Sequence, residues 1–251
     1  MWNPELYLRY ADERGRPFHE LIGRINVDKP RLVLDLGCGP GNLTETLLQR
    51  WPGARIHGVD SSPEMIAQAQ TSTEGVSYEV GDVREYEPAD EVDVIVTNAT
   101  LQWVPGHDEL LRRWVKPGRW IAMQVPANFD APGHLAMREL AESARWADRL
   151  GGTVNRRPVG DAVHYGRLLR EAGCEVDAWE TNYVHQLPVA QVHPVLTWMS
   201  GTALRPIRKA LSDGEWEAFS AELERELWLR YPPHGSVVDF PFLRVFAVAH
   251  R

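Results

Sequence analysis

A short apolar run followed directly by a glycine-rich turn constrains this chain more than any other feature. Residues 31–36 read Arg-Leu-Val-Leu-Asp-Leu, and residues 37–42 read Gly-Cys-Gly-Pro-Gly-Asn. The apolar run predicts a buried strand, and Asn42 is a residue type that caps helices, so a helix is expected to follow it. Glycines in such a turn let the backbone approach a ligand closely, because no Cβ obstructs it. The segment therefore predicts a cofactor site at the first strand of an α/β sheet.

Strand and helix signals then alternate along the chain. Four further runs of apolar and β-branched residues predict strands, over residues 55–59, 76–80, 92–97 and 120–125. Helices are predicted after Ser62 and over residues 108–114. Ahead of the first strand, two short helices that break near Gly15 are expected over residues 3–26. The alternation predicts an α/β fold with a right-handed, doubly wound and mostly parallel sheet.

The rhythm changes after residue 126. Further helices are predicted over residues 134–150, 161–172 and 191–231, and further strands over residues 175–187 and 240–249. We see no repeat or linker, so residues 1–251 are expected to form a single domain. Within it, residues 30–126 would form the cofactor-binding core. Residues 127–172 and 188–235 would form a helical lid over the site of a second substrate.

Composition and charge exclude several classes of protein. The 251 residues include 27 basic and 35 acidic side chains, a formal net charge of −8, so neither nucleic acid nor a membrane is expected as a partner. The two cysteines, Cys38 and Cys174, cannot form a disulfide framework, and the amino terminus does not resemble a secretory leader. The nine histidines show no metal-ligand spacing. We expect a cytoplasmic protein without a metal site or an obligate protein partner.

Acidic residues at successive strand ends indicate which cofactor the turn holds. The glycines are spaced G-x-G-x-G rather than G-x-G-x-x-G, and the carboxylate of Asp35 would repel a diphosphate but attract a cationic amino group. Asp60 ends the second strand, where it can accept from two ribose hydroxyls, and Asp82 follows the third, where it can meet an adenine amino group. Each acid alone could merely cap a turn. Together they favour S-adenosylmethionine over a dinucleotide.

The segment from Val33 to Gly41, with the acidic residues that follow it, resembles the first motifs of class I S-adenosylmethionine-dependent methyltransferases. The resemblance implies a seven-stranded Rossmann-like sheet whose last strand is antiparallel. It also implies the positions that contact the cofactor. The methionine end would meet Asp35, Gly37, Gly39 and Asn42; the ribose, Asp60; the adenine, Ser61, Met65, Asp82 and Val83; and the methyl group, Asn98 and Gln102.

Segments outside that core resemble one branch of the class, the trans-aconitate 2-methyltransferases. They are Trp2-Asn-Pro4, Tyr7-Leu8, Glu13-Arg14, Arg16-Pro17, residues 60–67, Asn98-Ala99, Leu101-Gln-Trp103, Gln124-Val-Pro126, residues 171–177, His185-Gln186 and Leu204-Arg-Pro206. The resemblance runs nearly from end to end. It implies methyl transfer to a carboxylate of trans-aconitate or a related tricarboxylate, with a monomethyl ester as the product.

The chemistry of a carboxylate acceptor fits the residues that the chain offers. A carboxylate is already ionised at neutral pH, so no general base and no catalytic side chain are expected. A small-molecule tricarboxylate does need cations. Arg244 lies inside the apolar run of residues 240–249. If that last strand is antiparallel, its beginning lies at the carboxyl edge of the parallel strands, which would put Arg244 near the active site. Arg205 lies among the later helices. With Tyr10, these arginines form the predicted substrate-binding set.

Several alternatives remain open from the sequence. Arg244 could form a structural ion pair, and Arg205 could be a solvated arginine at a helix end. The enzyme could methylate another small-molecule acid or a hydroxyl group. From other classes, the chain could be a nicotinamide-dependent oxidoreductase or a catalytically silent binding protein.

Overall fold

The computed structural model describes residues 11–71, 75–153 and 159–251, and for residues 11–14 it describes the backbone alone. The strands are β1 (Leu32–Leu36), β2 (Arg55–Asp60), β3 (Val76–Val80), β4 (Val94–Asn98), β5 (Trp120–Pro126), β6 (Glu175–Pro188) and β7 (Val237–His250). The helices within these residues are α1 (Ala11–Gly23), α2 (Thr46–Arg50), α3 (Pro63–Ala69), α4 (His107–Trp114), α5 (Pro132–Ala141), α6 (Ala147–Leu150), α7 (Ala162–Glu171), α8 (Pro194–Ser200), α9 (Arg205–Ala210) and α10 (Asp213–Arg230).

The strands form one seven-stranded sheet in the order β3-β2-β1-β4-β5-β7-β6. Strands β1 to β5 pair in parallel, and β7 runs antiparallel to β5. The order reverses between β1 and β4, which is the place where α/β sheets bind ligands at their carboxyl edge. The predicted fold class is therefore confirmed, including the antiparallel last strand. Because of that strand direction, Arg244 of β7 lies opposite Pro126, at the carboxyl end of β5.

The chain divides into two compact units. Among the described residues, the first unit comprises residues 11–71, 75–126, 159–181 and 244–251, and the second comprises residues 127–153 and 182–243. In the first unit the core lies on the central strands, where Val33, Leu34, Val94 and Ile95 are buried. Residues 159–172, which were predicted to belong to the lid, belong to this first unit, where α7 packs on α4.

The second unit has an aromatic and helical core of its own. Helices α5 and α10 pack together, and the Trp146 ring meets the Phe219 ring edge to face, with 5.4 Å between the centroids. The buried His193 caps α8, where its Nδ1 accepts a hydrogen bond from the Val195 N–H at 3.2 Å. That residues 127–172 and 188–235 cover a substrate site remains a prediction.

Two predictions near the glycine turn are wrong. The helix α1 does not break at Gly15 but runs through it to Gly23, because Gly15 is buried against Leu43 and tertiary packing outweighs the low helix propensity of glycine. Helix α2 begins at Thr46 rather than after Asn42, and residues 42–45 form turns. The preceding turn has Gly41 at φ +83°, a conformation that a helix cannot contain.

The long helical stretches after residue 126 are also interrupted. Instead of one helix over residues 134–150 there are α5 and α6, and instead of one over residues 191–231 there are α8, α9 and α10. Three of these helices have a proline in their first turn, where a residue needs no intrahelical N–H bond. A capping box between Ser212 and Glu215 starts α10.

Candidate cofactor and acceptor site

A cavity of about 340 Å³ opens at the carboxyl ends of the parallel strands, and its lining belongs to the first unit. Eight of the eleven residues predicted to contact the cofactor line it, namely Gly37, Gly39, Asp60, Ser61, Met65, Asp82, Val83 and Asn98. The other three, Asp35, Asn42 and Gln102, lie in the described part of the chain but outside this lining. The sequence thus predicted residues that the fold brings together, and their contacts with a cofactor remain predictions.

Hydrogen bonds fix the glycine turn against the end of β2. The N–H groups of Gly37 and Cys38 donate to the carbonyl oxygen of Val59 at 2.7 and 3.1 Å. Gly37 has φ +83°, and a Cβ on it would lie 2.0 Å from Thr100 Oγ1, so no other residue fits. Gly39 also has a positive φ, +57°, but a Cβ there would meet nothing within 4 Å. Gly39 therefore presents bare backbone towards open space.

Tyr78 of β3 packs against the glycine turn, a contact that no local sequence pattern indicates. A Cβ on Gly41 would lie 2.6 Å from Tyr78 Oη, and one on Gly58 would lie 2.7 Å from Tyr78 Cδ1. The tyrosine ring thus occupies space that two glycines leave free. Burial raises the pKa of Tyr78, so its hydroxyl stays protonated.

Asp60 connects the turn to the following helix. Its Oδ2 accepts from the Gly39 N–H and its Oδ1 from the Ser62 N–H, both at 2.9 Å. Ser62 in turn caps α3, as predicted, and its hydroxyl accepts from the Met65 N–H. A carboxylate has about four acceptor positions, so Asp60 retains capacity for ligand hydroxyls in the cavity that it lines.

Asp35 differs from Asp60 because it is enclosed by protein. Its side chain is 3% exposed, and its Oδ2 accepts from Thr44 Oγ1 at 2.6 Å. Burial raises the pKa of Asp35 to about 7, the hydrogen bond from Thr44 opposes this shift, and the nearby charge of Asp60 adds to it. Asp35 is therefore only partly ionised at neutral pH, and it lies outside the cavity lining.

Asp82 has a partner, Arg84, that its place at a strand end did not predict. The Arg84 Nε donates to both Asp82 carboxylate oxygens, at 2.9 and 3.0 Å, and the Arg84 N–H donates to Oδ1 at 2.9 Å. This hydrogen bonding to Arg84 lowers the pKa of Asp82. Arg84 also lines the cavity. An adenine amino group at Asp82 would therefore share the carboxylate with a guanidinium.

A strained residue joins β4 to the next turn at the edge of the cavity. Ala99 has φ 54°, an uncommon value for a residue with a Cβ. Its N–H donates to the Gln124 carbonyl oxygen at 3.0 Å, and its carbonyl oxygen accepts from Gln102 Nε2 at 2.6 Å. Gln102 therefore supports the wall from outside the lining. The neighbouring Asn98 Oδ1 is buried and has no hydrogen-bond partner among the described residues, so it is available to a ligand.

The three predicted substrate residues have different positions. Arg244 belongs to the first unit, is 4% exposed, and donates from Nη1 to Gln124 Oε1 at 3.1 Å. Arg205 belongs to the second unit, where burial lowers the pKa of its guanidinium. Tyr10 lies outside the described residues.

The described residues contain no group of three or more His, Cys, Asp or Glu side chains that could hold a metal ion. Both Cys38 and Cys174 are buried free thiols. No helix in the described ranges has the length and apolar character to cross a membrane.

The set of polar groups in the cavity fits a ligand with hydroxyl groups and a positive charge. Asp60 and Asp82 supply carboxylates, and the Asn98 side-chain Oδ1 has no hydrogen-bond partner among the described residues. The glycine turn permits close approach of a ligand to the backbone. A diphosphate would face the Asp60 charge. These features match the ribose, adenine and cationic methionine portions of S-adenosylmethionine.

Known proteins resemble the chain in sequence and in structure. Residues 33–118 match the model of the methyltransferase domain family. The chain is 52% identical to the trans-aconitate 2-methyltransferase of Mycolicibacterium gilvum over 99% of this chain and 98% of that protein. It is 51% identical to the protein of the same name from Rhodococcus jostii over 99% of each. Its fold resembles phosphoethanolamine N-methyltransferase 2 of Haemonchus contortus in complex with S-adenosyl-L-methionine, with a TM-score of 0.53 and 17% identity over 94% of this chain and 52% of that one.

Proposed function

This chain belongs to the trans-aconitate 2-methyltransferase family, and from that premise we propose that it methylates a carboxylate of trans-aconitate or of a closely related tricarboxylate. It is an S-adenosylmethionine-dependent methyltransferase. The observation that carries the substrate proposal is the buried Arg244 at the carboxyl end of β5, in the same unit as the cofactor cavity. A buried guanidinium is a strong and geometrically specific partner for a carboxylate.

The cofactor supplies an activated methyl group on a sulfonium when it is bound. We propose that Asp60 accepts from its ribose hydroxyls, that Ser61, Met65, Val83 and Asp82 contact its adenine, and that Asn98 lies towards the methyl group. Gly37 and Gly39 would let the methionine portion approach the backbone. The ionised form of Asp35 would attract the cationic amino group of the cofactor. Gln102 would hold Ala99 in place, and Asn42 would face the methionine portion from the turn before α2.

The acceptor needs orientation rather than activation. Because a carboxylate is ionised at neutral pH, no residue of this chain has to remove a proton from it. The work of the protein is to align one carboxylate oxygen with the methyl group and to exclude water around that oxygen. We propose that Arg244 binds a carboxylate that does not react, so that another faces the methyl group, with Arg205 and Tyr10 as further contacts.

A panel of acids tests this proposal directly. Purified protein and S-adenosylmethionine with a labelled methyl group are incubated with trans-aconitate, cis-aconitate, citrate, a monocarboxylic analogue and a hydroxyl acceptor. We expect a monomethyl ester of trans-aconitate as the main product, with the ester position read by NMR. Preferred transfer to the monocarboxylic acid or the hydroxyl acceptor would overturn it.

The pH dependence of the transfer step gives a second test. In single-turnover measurements, the rate should fall only at acidic pH, as the carboxyl groups of the substrate become protonated. A steep rise between about pH 6 and 9 would reveal a group that must lose a proton.

A cytoplasmic location and function without an obligate protein partner remain predictions. Cell fractionation would test the first, and activity of the isolated chain would test the second.

A further inference from the structure

Gln124 lies between the cofactor cavity and Arg244. On β5 it stands opposite Asn98 of β4 on one side and Phe246 of β7 on the other, and Arg244 is two positions from Phe246. Directly opposed residues of neighbouring strands point to the same face of a sheet, and neighbouring strands lie about 4.8 Å apart. Asn98, Gln124 and Arg244 therefore form a row of polar side chains across one face, and the first of them lines the cavity.

The orientation of the Gln124 amide follows from its partner. Arg244 Nη1 lies 3.1 Å from Gln124 Oε1, and because a guanidinium can only donate, the oxygen must face it. The amide nitrogen Nε2 is then directed elsewhere. This nitrogen has no hydrogen-bond partner among the described residues, and it cannot bond to bulk water because Gln124 is 0% exposed. A buried donor without an acceptor is unfavourable, and a ligand that accepts from it would remove that penalty.

We infer that Gln124 is a specificity-determining residue of the acceptor site: its Oε1 holds the Arg244 guanidinium, and its Nε2 donates to a carboxylate oxygen of the acceptor. This inference rests on the proposed function. The ligand that suits the row is an anion with several oxygens, since Arg244 supplies charge and Gln124 supplies a neutral donor. A hydroxyl or amine acceptor would bind less well to both the Arg244 charge and the Gln124 donor than a carboxylate would.

The residue type at position 124 affects the net charge beside the Arg244 guanidinium. An amide accepts from Arg244 without neutralising it, so this contact leaves the positive charge of the guanidinium in place. A glutamate would form an ion pair with Arg244 and would compete with the acceptor for the same hydrogen-bond donors. A purely structural glutamine would gain from that change, whereas a glutamine that serves an anionic ligand would lose its function.

Two substitutions at position 124 distinguish a purely structural glutamine from one that binds the acceptor. Gln124→Glu keeps an acceptor for Arg244 and adds a charge, and Gln124→Met keeps the size but removes both polar atoms. The matched control is Thr97→Val, because Thr97 is also buried, its hydroxyl also lacks a partner among the described residues, and its strand position places it on the opposite face. For each variant, kcat/KM for trans-aconitate, the Kd for S-adenosylhomocysteine and Tm are measured.

We expect Gln124→Glu to lower kcat/KM without lowering Tm. Gln124→Glu should keep or raise Tm while kcat/KM falls on the order of 100-fold, as a misplaced or competing charge at a reacting centre does. Gln124→Met should lose about 10-fold or more through the missing donor. The Kd for S-adenosylhomocysteine should stay within about 3-fold of wild type in both, and Thr97→Val should match wild type. A folded Gln124→Glu with the kcat/KM of wild type would overturn the inference.

A wild-type measurement keeps the inference testable even where a variant does not fold. In ¹⁵N-labelled protein loaded with S-adenosylhomocysteine, the side-chain amide signals of Gln124 should shift when tricarballylate is added. Binding of tricarballylate without such a shift would contradict the inference, and so would the absence of binding. If tricarballylate binds and shifts these signals but trans-aconitate is not methylated, the proposed function fails while the anion site stands.

Discussion

The hydroxyl of Tyr165 donates a hydrogen bond to Nε2 of His107 across 2.7 Å in the interior of the first unit. The direction follows from the other ring nitrogen, since His107 Nδ1 lies 3.0 Å from the carbonyl oxygen of Val104 and must carry the proton. The Tyr165 oxygen also accepts from the Gly160 N–H at 3.2 Å. Because Val104 lines the cofactor cavity, this pair links the cavity wall to the segment before α7.

Tyr165→Phe should weaken both the fold and the cavity wall. It leaves His107 Nε2 without a donor and Gly160 N–H without an acceptor, so we expect a loss of about 1–3 kcal/mol in the free energy of unfolding. We also expect a several-fold higher Kd for S-adenosylhomocysteine, measured by calorimetry. The control is Tyr86→Phe, a half-buried tyrosine of the same unit. Equal behaviour of the two variants would show that the hydroxyl of Tyr165 does not hold the wall.

Cofactor affinity should depend on how many hydrogen-bond acceptor oxygens the side chain at position 60 carries. Asp60→Ala removes the acceptor for the Gly39 and Ser62 N–H groups and the proposed acceptor for the ribose, and the loss in binding free energy should be on the order of 1.5–3 kcal/mol. Asp60→Asn keeps one acceptor oxygen and should lose less. The measurement is the Kd for S-adenosylhomocysteine. An unchanged Kd in Asp60→Ala would place the ribose elsewhere.

Local signals in the sequence sufficed for much of this site. Strand β3 has the predicted bounds, and Ser62 caps α3 as predicted. The acids at strand ends lie together because parallel strands end at one edge of the sheet. Arg244 could be placed near that edge because an antiparallel last strand enters the sheet from the carboxyl edge of the parallel strands, but β7 already begins at Val237, seven residues before Arg244.

Contacts between distant segments could not be read in the same way. Tyr78 fills the space at Gly41 and Gly58 only because β3 pairs with β2, and Gln124 meets Arg244 across 120 positions of sequence. The late start of α2 and the pairing of Asp82 with Arg84 depend on a turn conformation and a side-chain rotamer, which residue types alone leave open.

The buried Asp35 should make stability depend on pH. Its pKa rises from 3.8 to about 7 on folding, so between those values the folded protein holds a proton that the unfolded chain releases. Stability therefore falls as pH rises through this window and levels off above about pH 7. Asp35→Asn removes this dependence and should stabilise the protein by up to about 4 kcal/mol at pH 8, and hardly at all at pH 4. Urea unfolding at both values measures this, and an equal gain at both would contradict it.

The final prediction separates substrate binding from structural pairing at the two arginines. Arg244→Lys keeps the charge but loses the two parallel donors with which a guanidinium grips a carboxylate. Because misplacement by about 1 Å can cost on the order of 100-fold in rate, kcat/KM for trans-aconitate should fall by that order, while the Kd for S-adenosylhomocysteine stays near wild type. Arg205→Lys should show the same pattern less strongly, because Arg205 is half-buried and can rearrange.

A monocarboxylic analogue supplies the control for both arginine variants. It cannot occupy every anchor, so it should be a poor substrate for the wild type and should lose proportionately less in either variant. Full activity of both variants on every acid, or a loss of Tm alone, would favour the structural ion pair for Arg244. In that case the carboxylate contacts would have to be sought at Tyr10 and Arg14, and at Arg156 and Arg157, by the same substitution to lysine or phenylalanine and the same comparison of tricarboxylic with monocarboxylic substrates.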